Sequence, residues 1–172
     1  MKLGVITVLF SDLSFEDMLD KVEEAGLDCI ELGAGGYPGD AHCKPKELLG
    51  DEKKLEAFKR AIGEHHLKIS ALSCHGNPLH PDAGIAKAHD EAFRATCELA
   101  GVLGIDRVIT FSGCPGGSEG DTRPNWVTCP WPEDFSEAVA WQWEAKVIPY
   151  WKEAAVFAGK HKVSKICLEM HP

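Results

Sequence analysis

The chain has 172 residues, 44% of them hydrophobic, enough to bury a core as one domain over residues 1–172. Eighteen Lys and Arg against 27 Asp and Glu leave a formal charge of −9 without a basic cluster; such a surface repels a phosphate backbone, so no nucleic-acid partner is expected. No apolar run approaches the roughly 18 residues of a membrane span, and Met1-Lys2 leads into an apolar run without a signal-peptide cleavage pattern, so a soluble, cytoplasmic protein is expected.

In chain order, Leu3 to Phe10 reads as a strand covered on both faces. Ser14 starts a helix with Asp17 as a partial capping box, and Phe15, Met18, Leu19, Val22 and Ala25 mark one face. Gly26 ends it. Four segments then align without gaps: Gly26 to Leu32, His66 to Leu72, Gly104 to Thr110 and Lys162 to Leu168. Each is a helix end, an apolar residue, a polar residue and a strand. Helical patterns precede them, around Phe15–Ala25, Leu55–Ile62, Ala92–Leu103 and Phe135–Phe157, the last interrupted by Pro149 with a kink or two helices expected.

This alternation predicts an α/β fold with parallel strands, five strands and four helices in all. The turns from helix to strand are short. The segments after the strands, at 33–49, 74–84 and 112–134, are long and rich in Gly, Pro, His and Trp, which is where α/β proteins carry their sites. The glycine cluster from Gly33 to Gly39 follows strand two and has Pro38 where a dinucleotide fingerprint needs glycine, so a flexible loop of close approach is the better reading. A closed (β/α)8 barrel takes about 250 residues; this pattern matches the first part of one. The seven cysteines include no C-x-x-C pair and read as reduced, packed thiols.

Several motifs stand in order at the carboxyl ends of these strands: Ile30-Glu31-Leu32, then Ser73-Cys-His75-Gly-Asn77-Pro-Leu-His80-Pro81, then Thr110-Phe-Ser112-Gly113-Cys-Pro. Pro124-Asn-Trp126, Cys129-Pro-Trp131 and Leu168-Glu169-Met-His171-Pro172 follow. In that order they resemble the sugar phosphate isomerase/epimerase family, within the xylose isomerase-like TIM barrels that also include AP endonuclease-type folds. The resemblance implies an isomerase or epimerase of carbohydrate metabolism acting on a sugar or sugar phosphate. It also implies a divalent cation, Mn²⁺ or Mg²⁺ rather than Zn²⁺, with Glu169 as the strand-five metal ligand and a participant in proton transfer.

Moving a carbonyl or a stereocentre along a sugar requires removing the proton beside the carbonyl, so a carboxylate to take it and a cation to steady the oxygen charge are the residue types to look for. The bland reading of Glu169 is a strand-end carboxylate paired with a lysine. His171 is either a second contact for substrate or ligand, or a solvated side chain. His75 occupies the place where hydrolase relatives bind zinc, but strand four ends without a His, so a substrate contact is the better reading. Glu31 interrupts an apolar strand, which favours a substrate contact at the barrel mouth over a salt bridge inside. Trp126 and Trp131 are candidates to stack on a sugar face. Trp141, Trp143 and Trp151 read as core or interface, Asn77 and His80 as turn residues, and His42, His65, His66, His89 and His161 as solvated. Two alternatives remain: an AP endonuclease-like zinc phosphodiesterase, and a non-catalytic barrel fragment that self-associates through its open sheet edges.

Overall fold

The computed structural model describes residues 1–170. Its frame is one parallel sheet of β1 (Gly4–Ile6), β2 (Cys29–Gly33), β3 (Lys68–Ser73), β4 (Arg107–Thr110) and β5 (Lys165–Leu168), with the strands adjacent in sequence order. A doubly wound sheet reverses its order at a switch point; this one does not, and it forms an arc of a barrel. The register carries Val5 beside Ile30, Leu72 beside Val108 and Val108 beside Ile166. These residues face the helices. With strand period two, Ile6, Glu31, Ile109 and Cys167 lie on the opposite, inner face of the arc.

The helices are α1 (Phe15–Glu24), α2 (Pro45–Gly50), α3 (Glu52–Glu64), α4 (Ala83–Leu103), α5 (Glu133–Trp141) and α6 (Ile148–Lys160). Met18, Leu19 and Val22 of α1, Ile30 and Leu32 of β2, Leu72 of β3, Leu99 of α4 and Val108 of β4 are fully buried between the layers. Each side chain of this kind contributes about 1.5–3 kcal/mol by leaving water. Cys43, Cys74 and Cys97 are packed in the same core, and burial pushes the Cys43 and Cys74 thiols up to about 12. All seven cysteines are free.

The four aligned segments make the same turn. Gly26, His66, Gly104 and Lys162 all take left-handed φ, at 68°, 57°, 72° and 65°. Their N–H groups bond back to Glu23, Gly63, Gly101 and Gly159, and the next N–H in each case, from Leu27, Leu67, Ile105 and Val163, reaches the carbonyl five residues upstream. This pair of bonds satisfies the orphan carbonyls of the helix end and drops an apolar residue into the core.

Differences from the sequence reading have local causes. Only Gly4–Ile6 of the run from Leu3 to Phe10 is strand; Thr7–Phe10 winds into a 3₁₀ turn, with Leu9 69% exposed. Apolar composition marked proximity to the core there, not backbone conformation. Ser14 does cap α1, its Oγ accepting the Asp17 N–H at 3.1 Å, but the Asp17 carboxylate takes the Ser14 hydroxyl at 2.8 Å, and Ala25 is an exposed cap residue. Four crossovers hold as expected, yet they carry six helices. α2 arises inside the segment read as a loop, with Pro45 at its first turn, where a missing N–H costs nothing. The fourth crossover divides as expected: Gln142–Val147 widens into a π-helical turn just ahead of Pro149. Pro149 cannot donate to the carbonyl four residues back, and the wider turn relieves its ring of that clash.

Candidate functional site

The site is built at the carboxyl ends of β3, β4 and β5. Past β3 the chain stays in the ladder: the Cys74 N–H donates to Ile109 and the Ala34 N–H to Ser73, while the Thr110 hydroxyl donates to the Cys74 carbonyl at 3.2 Å. Those bonds fix His75, which is 4% exposed. Its ring lies 4.6 Å from that of Phe111. Past β5, the Glu169 N–H donates to the Thr110 carbonyl at 2.9 Å, which keeps Glu169 in strand register and on the inner face with Cys167.

The two ends meet. His75 Nε2 is 2.8 Å from Glu169 Oε2, with the Glu169 side chain 54% exposed. Nε2 is buried, and among the described residues it has this close contact with the carboxylate but no hydrogen bond. An unpartnered buried ring nitrogen is costly in a static structure; beside a carboxylate open to solvent it is an arrangement suited to a third group. Among the described residues, however, no cluster of three or more His, Cys, Asp or Glu side chains converges to hold a metal ion. Glu169 offers one carboxylate donor to a divalent cation, which needs further oxygen donors to complete its coordination.

Glycine-loop residues frame the pair. Gly36 takes φ 68°, and a Cβ there would collide with the His75 carbonyl, while the Tyr37 N–H donates to that same carbonyl at 2.7 Å. The Tyr37 ring sits 6.1 Å from Phe111 and 5.2 Å from His89. Opposite this loop, Asn77 is a buried clamp. Its Nδ2 donates to the Cys114 carbonyl at 2.8 Å and its Oδ1 accepts from the Cys114 and Leu79 N–H groups, tying the loop after β3 to the loop after β4.

Of the residues singled out in the sequence, the structure brings together His75 and Glu169. Glu31 is half-buried on the inner face, level with Ile6 and Ala71, without an ion pair or hydrogen bond to its carboxylate among the described residues. Trp126 and Trp131 are 52% and 77% exposed in the loop after β4, and no described contact joins them to the pair. His171 lies outside the described residues. Asn77 combines the expected turn role with the clamp. His89, His42 and His65 are corrected from solvated to engaged: His89 Nδ1 accepts the Asn77 N–H at 3.0 Å, His42 is 7% exposed with Nε2 3.1 Å from the Leu13 carbonyl, and the two ring nitrogens of His65 meet the Ala61 carbonyl at 2.7 Å and the Asp20 carboxylate at 3.0 Å. Tyr37 and Phe111 escaped sequence reasoning because they lie on different loops; the one signal was an aromatic residue inside a glycine cluster. A cleft of about 430 Å³ between the glycine loop, α2 and α4 includes neither His75 nor Glu169 in its lining.

The family model described as xylose isomerase-like TIM barrel matches residues 19–172. A relative from Bacillus subtilis (strain 168), the uncharacterized protein YfiH, is 39% identical over 171 residues, which make up 98% of this chain and 54% of the relative. Among solved structures, a xylose isomerase-like TIM barrel protein from Mycobacterium smegmatis in complex with magnesium superposes with a TM-score of 0.64 at 16% identity, over 99% of this chain and 55% of that one. The D-psicose 3-epimerase from Clostridium cellulolyticum H10, solved with D-tagatose, superposes with a TM-score of 0.59 at 13% identity, over 99% and 52%. At these identities the structures share the fold. The chain thus spans about half the length of the proteins it matches.

Proposed function

Because this chain belongs to the xylose isomerase-like TIM barrel family, we propose that it carries the first five strands of a metal-dependent isomerase or epimerase that moves a proton beside the carbonyl of a sugar or sugar phosphate. The observation that carries this reading is the meeting of His75 and Glu169, 2.8 Å apart, at the carboxyl end of the sheet. Glu169, with its carboxylate open to the barrel mouth, is the metal ligand and the group placed to take or return the proton. A divalent cation, Mn²⁺ or Mg²⁺, held at Glu169 would supply stabilisation of the oxygen charge that develops as the proton leaves.

His75 is the substrate contact beside Glu169, its ring held at the end of β3 with Nε2 2.8 Å from the Glu169 carboxylate. Glu31 reaches substrate from the inner face, and His171 and the loop tryptophans Trp126 and Trp131 complete the binding residues of this reading. The magnesium complex of one fold relative and the sugar-bound epimerase are consistent with this assignment. Against a phosphodiesterase stands the formal charge of −9, which disfavours a nucleic-acid substrate. Strands β1 and β5 form the two edges of the sheet, and pairing of those edges with another chain is the partner interaction the reading includes.

The test is a calorimetric Mn²⁺ titration of the chain beside Glu169→Gln, followed by incubation of a ketose in D₂O. Saturable Mn²⁺ binding weakened at least about tenfold in the variant, with deuterium entering the sugar beside its carbonyl, is the expected result. Equal binding by both proteins, or none by either, would overturn the role of Glu169.

A further inference from the structure

We infer that Tyr37 is a specificity-determining residue, the aromatic wall against which the carbon face of a sugar lies while His75 and Glu169 take its polar edge. The inference rests on the proposed action on sugars and names a residue that neither the motifs nor the family likeness singles out. Three observations carry it. Tyr37 is 64% exposed, yet it is not on a loose loop: its N–H is bonded to the His75 carbonyl at 2.7 Å, and Gly36 lets the two backbones approach where any side chain would collide. The residue that bears the exposed ring is therefore fixed to the residue whose Nε2 meets the Glu169 carboxylate.

Next, the rings form a continuous row. Tyr37 is 6.1 Å from Phe111, Phe111 is 4.6 Å from His75, and His75 Nε2 is 2.8 Å from the Glu169 carboxylate. An apolar strip that ends in a buried acceptor or donor and a carboxylate matches a sugar, whose C–H groups cluster on a face and whose hydroxyls line its edge. Last, the Tyr37 ring already stands beside the site, 5.2 Å from His89 and 6.1 Å from Phe111, as a surface additional to the loop tryptophans.

Tyr37 supplies its face, not its hydroxyl, and this separates the two variants that test it. With Mn²⁺ present, D-fructose and D-fructose 6-phosphate are titrated into the chain, Tyr37→Phe and Tyr37→Ala, and saturation transfer from aromatic protons to sugar C–H protons is recorded by NMR. Phe should bind within about twofold of the native chain and keep the transfer. Ala should bind about three- to tenfold more weakly, the equivalent of one lost aromatic contact, and lose most of the transfer. Unchanged binding and transfer in Ala would overturn the role of Tyr37 while leaving sugar binding standing. Equal loss in Phe and Ala would overturn the stacking in favour of the hydroxyl. Failure of both sugars to bind the native chain would overturn the wall together with the sugar reading.

Discussion

His66 and Lys162 occupy equivalent positions one residue past the caps of α3 and α6, and both hold the left-handed conformation that Gly26 and Gly104 hold after α1 and α4, with φ 57° and 65°. A side chain at such φ costs about 1–2 kcal/mol against the right-handed region, while glycine adopts it freely. Histidine tolerates the conformation better than lysine. Lys162→Gly should therefore raise stability by about 1 kcal/mol, and His66→Gly by somewhat less. Gly104→Ala should lower it by a similar amount. Urea denaturation at fixed pH checks all three, and a loss of stability in Lys162→Gly would contradict the strain.

Asn77 makes its side-chain hydrogen bonds while only 7% exposed. Asn77→Ala leaves the Cys114 N–H and carbonyl without these partners and should cost about 2–4 kcal/mol. Asn77→Asp should be no better, because its second oxygen faces the Cys114 carbonyl where a donor is required. The readout beyond stability is Cys114 itself, which should alkylate faster in either variant as the two loops part.

His65 gives the fold a signed pH dependence. Its pKa is raised above the ordinary 6.5, first by the bond from its ring to the Ala61 carbonyl and then by the Asp20 carboxylate 3.0 Å away. A raised folded pKa means that the protonated ring stabilises the fold fully below about pH 6.5 and that this contribution is lost as the pH rises through the folded value. The stability difference between the native chain and His65→Gln should shrink across that rise, and Asp20→Asn should reduce it at low pH. A difference that grows with pH would reverse the assignment.

Gln142 anchors the loop after β4 from inside the π-helical turn, its Nε2 donating to the Gly116 carbonyl at 3.0 Å and the Asn125 carbonyl at 2.7 Å. Gln142→Ala should free the backbone around Glu119, an exposed residue between those two anchors. Limited digestion with a glutamate-specific protease should then cut after Glu119 several-fold faster, with the core intact by circular dichroism. Unchanged cleavage would show that the loop is held by other bonds.

The open edge of β5 can be blocked without disturbing the sheet. The Lys165 and Glu169 N–H groups point to β4, bonding Asp106 and Thr110, so the alternation of the strand turns the Leu168 N–H toward the edge. Leu168→Pro removes that donor alone. Sedimentation should show concentration-dependent association of the native chain and a shift toward monomer in the variant. A native chain that is monomeric throughout would discard edge pairing.

The parts of this structure that could be read from sequence are those with a local chemical signature. The four helix-to-strand turns were legible because a left-handed residue followed by an apolar one repeats at Gly26, His66, Gly104 and Lys162. Leu3 to Phe10 misled because a buried residue such as Thr7 and an exposed one such as Leu9 sit in the same apolar run. At the site, Glu169 and His75 were each noticeable at a strand end, but their contact depends on the closing curvature of three strands, which leaves no periodicity in the sequence. Tyr37, Phe111 and Asn77 act across loops, where side-chain partners are chosen by the tertiary arrangement.

The sealed thiols of the core have a practical consequence. Cys43, Cys74 and Cys97 are at most 2% exposed, and burial holds each as the unreactive thiol. Cys129 is exposed. A thiol-specific reagent applied to the folded chain should consume Cys129 at once and the three core cysteines only as their surroundings open. Mass spectrometry of the labelled peptides then times separate openings just before α2, just after β3 and within α4, turning the native protein into its own recorder of which layer breathes first.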